Sequence, residues 1–311
     1  MEKRKIIIDC DPGHDDIMAI LMALAHPEEL ELLGITTVAG NNHMRRVTEN
    51  LLRTLTYLGR TDIPVSMGSD TALVLDPEPQ DAHGVTGLDG FDFPEPAFTP
   101  VKEHAVEFMK NCILSSEDKV TIVALAPLTN VALLVLAYPE VKDRIEQIVL
   151  MGGSVYRGNM LARSEFNIYA DPHAAEAVMR CGVPVVIAPL EVCDDCLISE
   201  DDIKRWEQIK KPAAQLCAGL MNFFAGYGRK RGWTEFTVFD LTTIMYLLYP
   251  DRFEGFRSTC HVIPDGKYTR GMTVIDEDGN GHVYTLMKAD RKYLNERFLE
   301  AIDHLDEGYP A

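Results

Sequence analysis

The sequence is short of positive charge. Its 311 residues carry 48 acids against 30 bases, a formal net charge of −18. Such a surface repels phosphate backbones and anionic lipid, so neither nucleic acid nor membrane is an expected partner. A neutral small molecule escapes that objection. Long apolar runs are also lacking. No stretch reaches the roughly 18 residues of a membrane span, and the Met-Glu-Lys-Arg-Lys start runs straight into a strand pattern, with no apolar segment of the secretion-signal kind. Paired cysteine spacing is missing. The seven cysteines are scattered and odd in number, and Cys193-Asp-Asp-Cys196 stands alone. A structural zinc needs two more ligands nearby. A reducing cytoplasm is the expected compartment. There is no G-x-x-x-x-G-K phosphate loop. What remains is 46% apolar content, ample for a large core and one domain over residues 1–311.

Residues 5 to 16 organise the rest. They read Lys-Ile-Ile-Ile-Asp-Cys-Asp-Pro-Gly-His-Asp-Asp. The three isoleucines read as a buried parallel strand. Pro12 and Gly13 break it, and Ile17, Ile20, Leu21 and Leu24 then mark one face of a helix. The turn thus holds Asp9, Asp11, Asp15 and Asp16. Two like charges about 4 Å apart repel by roughly 4 kcal/mol at an effective dielectric near 20. A helix N-terminus returns only about 0.3–1 kcal/mol per carboxylate. Helix capping and splaying into solvent is the bland account of such acids. A bound hard cation, Ca²⁺ or Mg²⁺, explains the crowding better, because every available ligand is an oxygen.

Strand and helix patterns alternate through the first two-thirds. Strands are expected at 30–38, 64–67, 120–126, 145–151 and 184–189, with helices around Val47–Leu58, 101–114, 127–137 and 172–181. Residues 69–100 form a long Pro-, Asp- and Gly-rich loop, of the kind that is usually functional. The repeated βα winding predicts an α/β fold: a mostly parallel central sheet with helices on both faces. In the last third, 199–226 reads as helical with Trp206, Leu216, Leu220 and Phe223 as anchors. Residues 226–238 read as a surface loop or a lid over a site. Asp240 opens a helix, 257–287 gives two or three strands, and 291–305 is a terminal helix. In open α/β sheets, ligands sit at the carboxyl ends of strands, where the sequence places Asp11, Asp15, Asp16, Asn41, the Leu125 carbonyl, Asn159, Glu165, Asn167 and Asp240.

The run Asp9-Cys-Asp-Pro-Gly-His-Asp-Asp resembles the N-terminal motif of the inosine–uridine-type nucleoside hydrolases, calcium-dependent N-ribohydrolases. Ala39-Gly40-Asn41, His83-Gly84 with Gly87-Leu88-Asp89-Gly90, Pro127-Leu128-Thr129-Asn130, Met151-Gly152-Gly153 and Glu165-Phe166-Asn167 follow in that family's order. The resemblance implies Ca²⁺ held by Asp11, Asp16, Asp240 and the Leu125 carbonyl. It implies ribose hydroxyls gripped by Asp15, Asn41, Asn159, Glu165 and Asn167, with Met151 lining the sugar pocket. It also implies a role in nucleoside salvage and a homo-oligomer, dimer or tetramer. Cleaving a ribosyl C–N bond builds positive charge on the sugar, which surrounding carboxylates and amides favour. By the same resemblance Asp11 is the general base toward a water acidified by the metal.

The base end departs from the family pattern. Many members carry histidine just before the last calcium aspartate; here Val238-Phe239-Asp240 puts phenylalanine there. A general acid contributes about 10²–10⁴ in rate. Three explanations stand open. His83 donates the proton or contacts the base. Or Phe239 and aromatics such as Tyr227, Trp233 or Phe236 sandwich the base. Or turnover is weak, or depends on a pre-activated leaving group. His14 reads as a structural hydrogen bonder. Leu190-Glu191-Val192-Cys193 is a second departure, behind the site. Two rival functions follow: a nucleoside or ribose binder without turnover, and an aspartyl phosphotransferase built on Asp9 and Asp11, for which the sequence offers no phosphate cradle.

Overall fold

The computed structural model describes residues 3–75 and 82–308. The chain opens with β1 (Arg4–Cys10), α1 (His14–Leu24), β2 (Leu30–Thr37), α2 (Met44–Tyr57) and β3 (Val65–Met67). After the long loop come α3 (Ala105–Ser115), β4 (Val120–Ala124), α4 (Thr129–Ala137) and β5 (Ile145–Met151). Then follow α5 (Phe166–Ala170), α6 (Pro172–Met179), β6 (Val185–Ala188), the single turn α7 (Leu190–Cys193) and β7 (Leu197–Ser199). The last third holds α8 (Glu200–Gln208), α9 (Pro212–Phe224), α10 (Gly226–Arg229), β8 (Glu235–Thr237) and α11 (Leu241–Leu248). It ends with β9 (Phe253–Ile263), β10 (Met272–Glu277), β11 (Val283–Ala289) and α12 (Arg291–Glu307).

Nine strands form one sheet in the order β10-β9-β11-β6-β5-β4-β1-β2-β3. From β3 across to β11 every pairing is parallel; β9 alone runs against the rest. The chain winds from β1 outward to β3, then returns to lay β4 on the other side of β1. That reversal makes the carboxyl ends of β1 and β4 the topological switch point, where such sheets leave a crevice. The β1–β4 register runs from Lys5 opposite Val120 to Asp9 opposite Ala124, so both strands end at the same level.

Strand alternation divides β1 between two cores. Ile6 and Ile8 join the apolar layer that includes α1, α2, α9, α11 and α12, while Ile7 joins the layer of α3, α4 and α6. All three are fully buried, each worth about 1.5–3 kcal/mol relative to exposure. The single domain with helices on both faces is therefore as expected, and the C-terminal third does extend the sheet.

The helical stretch expected over 199–226 is divided: α8 ends at Gln208 and α9 begins with Pro212 at its first turn. Proline lacks the N–H that a continuous helix would need there. Phe223, expected as an anchor, is 39% exposed, whereas Trp206, Leu216 and Leu220 are fully buried. The segment 226–238 is also not a plain loop. It contains α10 and β8, and β8 pairs antiparallel with β7.

Candidate active site

The turn after β1 brings its acids together unevenly. Asp9 points to the rear, where Thr36 Oγ1 (2.5 Å) and Asn130 Nδ2 (2.8 Å) donate to its Oδ1. Burial pushes its carboxyl up to about 6. Asp11, two residues on, accepts the Asn41 backbone N–H on Oδ2 at 2.6 Å. Asp16 ties the turn closed, accepting from Asp11 N–H (3.2 Å) on Oδ1 and Gly13 N–H (2.8 Å) on Oδ2. Two glycines make room. A Cβ on Gly40 would lie 2.0 Å from Asp11 Oδ2, and one on Gly13 would lie 2.7 Å from the His83 ring and 2.9 Å from Asn41 Nδ2.

Asp240, at the N-terminus of α11, enters from the other side of the crevice. One carboxylate oxygen each from Asp15, Asp16 and Asp240 falls within 4.8 Å of the others. This trio has Asp15 where the resemblance put Asp11. Burial comes first, and mutual repulsion adds to it, in holding Asp11, Asp16 and Asp240 well above the ordinary carboxylate range. Asp15 is raised as well, by burial. The Asp240 carboxylate is 3% exposed and finds no hydrogen-bond partner among the described residues. Among the described residues it forms no ion pair with a cationic side chain. A cluster of buried carboxylate oxygens without such a counterion fits a hard divalent cation.

A cavity of about 210 Å³ opens beside the trio. Of the twelve residues singled out from the sequence, ten line it: Asp15, Asn41, His83, Leu125, Met151, Asn159, Glu165, Asn167, Phe239 and Asp240. Asp11 and Asp16 are buried and do not line it. Glu165 caps α5, accepting from Asn167 N–H (2.9 Å), Ile168 N–H (3.2 Å) and Gly153 N–H (2.9 Å). Burial nevertheless lifts its carboxyl to about 7. Asn167 Nδ2 donates to the Leu125 carbonyl (2.9 Å) and the Met151 carbonyl (3.1 Å), so both carbonyls face the site. Asn159 is exposed at the mouth.

His83 is nearly buried in a set of almost parallel rings. Its centroid is 5.2 Å from His14 and 5.6 Å from Phe224. Its Nδ1 lies 2.9 Å from His14 Nδ1, and His14 Nε2 donates to the Asp89 carbonyl at 2.8 Å. His14 is thus the hydrogen bonder expected of it. Burial lowers both imidazoles to about 4. His83 Nε2 has no protein partner among the described residues, although its ring lines the cavity.

The sequence missed Ala82, Met160, Phe166 and Phe224, which complete the lining. The only available signal for Phe224 was its neighbour on the same helix. The aromatic sandwich is corrected in part. Phe239 does line the cavity, but Phe236 is buried in the core and Trp233 is 53% exposed, and neither reaches the lining. The Tyr227 side chain lies outside the described residues.

The family described as inosine-uridine preferring nucleoside hydrolase matches residues 6–304. A pyrimidine-specific ribonucleoside hydrolase RihA from Klebsiella pneumoniae is 45% identical over 274 residues, covering 87% of this chain and 88% of the relative. Among solved structures, a plant nucleoside hydrolase, PpNRh1, superposes with a TM-score of 0.90 at 29% identity, over 96% of this chain and 98% of that one. A purine-preferring ribonucleoside hydrolase from Gardnerella vaginalis gives 0.91 at 28% identity, over 98% and 99%.

Proposed function

The chain belongs to the inosine-uridine preferring nucleoside hydrolase family and is a ribonucleoside hydrolase, and from that premise we propose how its cavity is used. The substrate is a ribonucleoside, with pyrimidine ribonucleosides preferred. That preference follows the 45% identical relative, whose name states it, over the 28% identical purine-preferring one. The cation is Ca²⁺, held by Asp11, Asp16, Asp240 and the Leu125 carbonyl. The unpartnered, buried Asp240 carboxylate is the observation that carries this reading. Asp15 lines the cavity where Asp11 and Asp16 do not, so Asp15 is the acid that reaches the sugar. When bound, the cation neutralises the acids, orients the sugar diol and makes water more acidic.

The residues do the remaining work. Asp11 takes the proton of the attacking water; the Asn41 N–H on its Oδ2 fixes the carboxylate's direction. Asp15, Asn41, Asn159, Glu165 and Asn167 hold the ribose, and Met151 packs beneath it. Positive charge developing on the sugar meets carboxylates and amide oxygens already in place, so little reorganisation is needed. His83 Nε2 meets the departing base, while Phe239 and Phe224 give it apolar walls. Relatives named as hydrolases support turnover over the binder reading.

The test is release of reducing sugar from uridine, cytidine, inosine and adenosine, with Ca²⁺ and with chelator. Rapid, calcium-dependent release from uridine and cytidine is expected. Equal activity in chelator would remove the cation from the scheme, and faster release from inosine would reverse the base preference.

A further inference from the structure

The turn α7 follows β6 and carries Glu191, in the stretch that departs from the family pattern. Its carboxylate accepts three consecutive backbone N–H groups from the loop after β5. Oε2 takes Val155 at 3.0 Å; Oε1 takes Tyr156 at 2.8 Å and Arg157 at 3.3 Å. The same turn and the residue after it fasten that loop with three more bonds. Arg157 Nη2 donates to the Leu190 carbonyl (3.3 Å) and to Asp194 Oδ1 (2.6 Å), and Leu190 N–H donates to the Gly153 carbonyl (3.1 Å). Tyr156, Arg157 and Asn159 are exposed. Charge-assisted hydrogen bonds from one partly buried carboxylate hold residues 155–157, and the Asn159 and Met160 N–H groups donate to the Ser164 carbonyl at 3.1 and 3.0 Å.

The loop's far end carries Asn159 and Met160 into the cavity lining. The Asn159 side chain has no partner among the described residues, so its position is that of its backbone, which lies between the Glu191-held residues 155–157 and its own bond to the Ser164 carbonyl. We propose that Glu191 is a positioning residue for the sugar subsite: it touches no substrate, and it sets where Asn159 stands at the mouth. The other end of α7 steadies the facing wall, with Cys193 Sγ donating to the Phe239 carbonyl at 3.6 Å. The inference rests on the assignment of Asn159 to the sugar.

The experiment is a mutant cycle on the full chain with saturating Ca²⁺, reading kcat and KM for uridine with Glu191→Ala, Glu191→Gln, Asn159→Ala and the Asn159→Ala/Glu191→Ala pair. If loosening leaves the loop in place about a tenth of the time, Glu191→Ala raises KM about tenfold with kcat nearly unchanged. Glu191→Gln gives a smaller rise, because its amide oxygen still accepts. In the Asn159→Ala background the Glu191 effect on KM disappears. Equal effects in both backgrounds, or a fall in kcat with KM unmoved, overturn the inference while leaving Asn159 on the sugar. An Asn159→Ala enzyme with the parent's KM overturns the sugar assignment itself, and the inference with it. Should Glu191→Ala fail to fold, Glu191→Gln and Glu191→Asp carry the same cycle.

Discussion

His83 and Phe239 share the base end of the cavity, and only one of them can hydrogen bond. Burial keeps the His83 imidazole at about 4, so the ring is neutral at working pH. Its free Nε2 meets the base as a neutral hydrogen-bonding group rather than as an imidazolium. His83→Ala is expected to lower kcat/KM for uridine by about 3- to 10-fold, the worth of one neutral hydrogen bond. It should spare p-nitrophenyl riboside, whose leaving group departs without a proton. Equal losses on both substrates would place His83 on the sugar instead. Phe239→His should raise kcat for uridine by about 10-fold or more and leave the nitrophenyl substrate unchanged, because it adds a proton donor where the cavity has only a hydrocarbon ring. Asp11, Asp15, Asp16 and Asp240 were legible in the sequence because they interrupt an apolar strand end or open a helix, whereas His83, in a loop, was reached only through the family resemblance. Phe224 and Met160 were not legible. An apolar side chain facing a cavity has the same sequence pattern as one facing the core.

At the level of elements, the segment 226–238 is tied down by side-chain contacts at both ends. Arg229 pairs with Glu200 and also donates to the Asn222 carbonyl (3.0 Å) and Oδ1 (2.9 Å). Arg291 pairs with Glu235 on β8. The Arg229–Glu200 side chains are 33% and 22% exposed, so the pair adds at most about 1 kcal/mol to global stability. Its larger effect is local, since short exposed segments open independently of the core. Arg229→Ala should therefore speed tryptic cleavage after Lys230 and Arg231 several-fold while moving the melting temperature by no more than about 2 °C. A matching loss of global stability would show the segment to be part of the core. Strands β1, β4 and β5 were readable from their apolar runs, to within two residues at each end. The split between α8 and α9 was written in Pro212 and overridden by a continuous apolar period. The pairing of β8 with β7 joins residues about forty apart, and no local pattern encodes it.

For the whole molecule, the buried acids make stability depend on pH in a direction that the cation should reverse. Glu165, raised from 4.5 to about 7, and Asp9, raised from 3.8 to about 6, bind protons more tightly in the folded state. Their contribution is complete below the unfolded values and is lost as pH rises through about 6 and 7. Asp11, Asp16 and Asp240 extend the same loss upward. His14 and His83 act oppositely, lowered from 6.5 to about 4: their contribution is present above 6.5 and is lost as pH falls through about 4. The histidine contribution is complete only about a unit above 6.5, so from about pH 7.5 upward the slope of the acids is no longer opposed. Chelated protein should melt at progressively lower temperature from about pH 7.5 to 8.5. Calcium at about 100 times its Kd should add about 2.7 kcal/mol, and more at pH 8 than at 6.5, because fewer protons then compete for the site. Asp240→Asn separates this from a general charge effect. It removes a carboxylate that has no hydrogen bond to lose, so the chelated variant should melt above the chelated parent at pH 8 and gain little from calcium. If that variant melts lower, or if the chelated parent shows no slope in this window, the acids are not repelling one another across an empty cation site, and the account of the cluster is wrong.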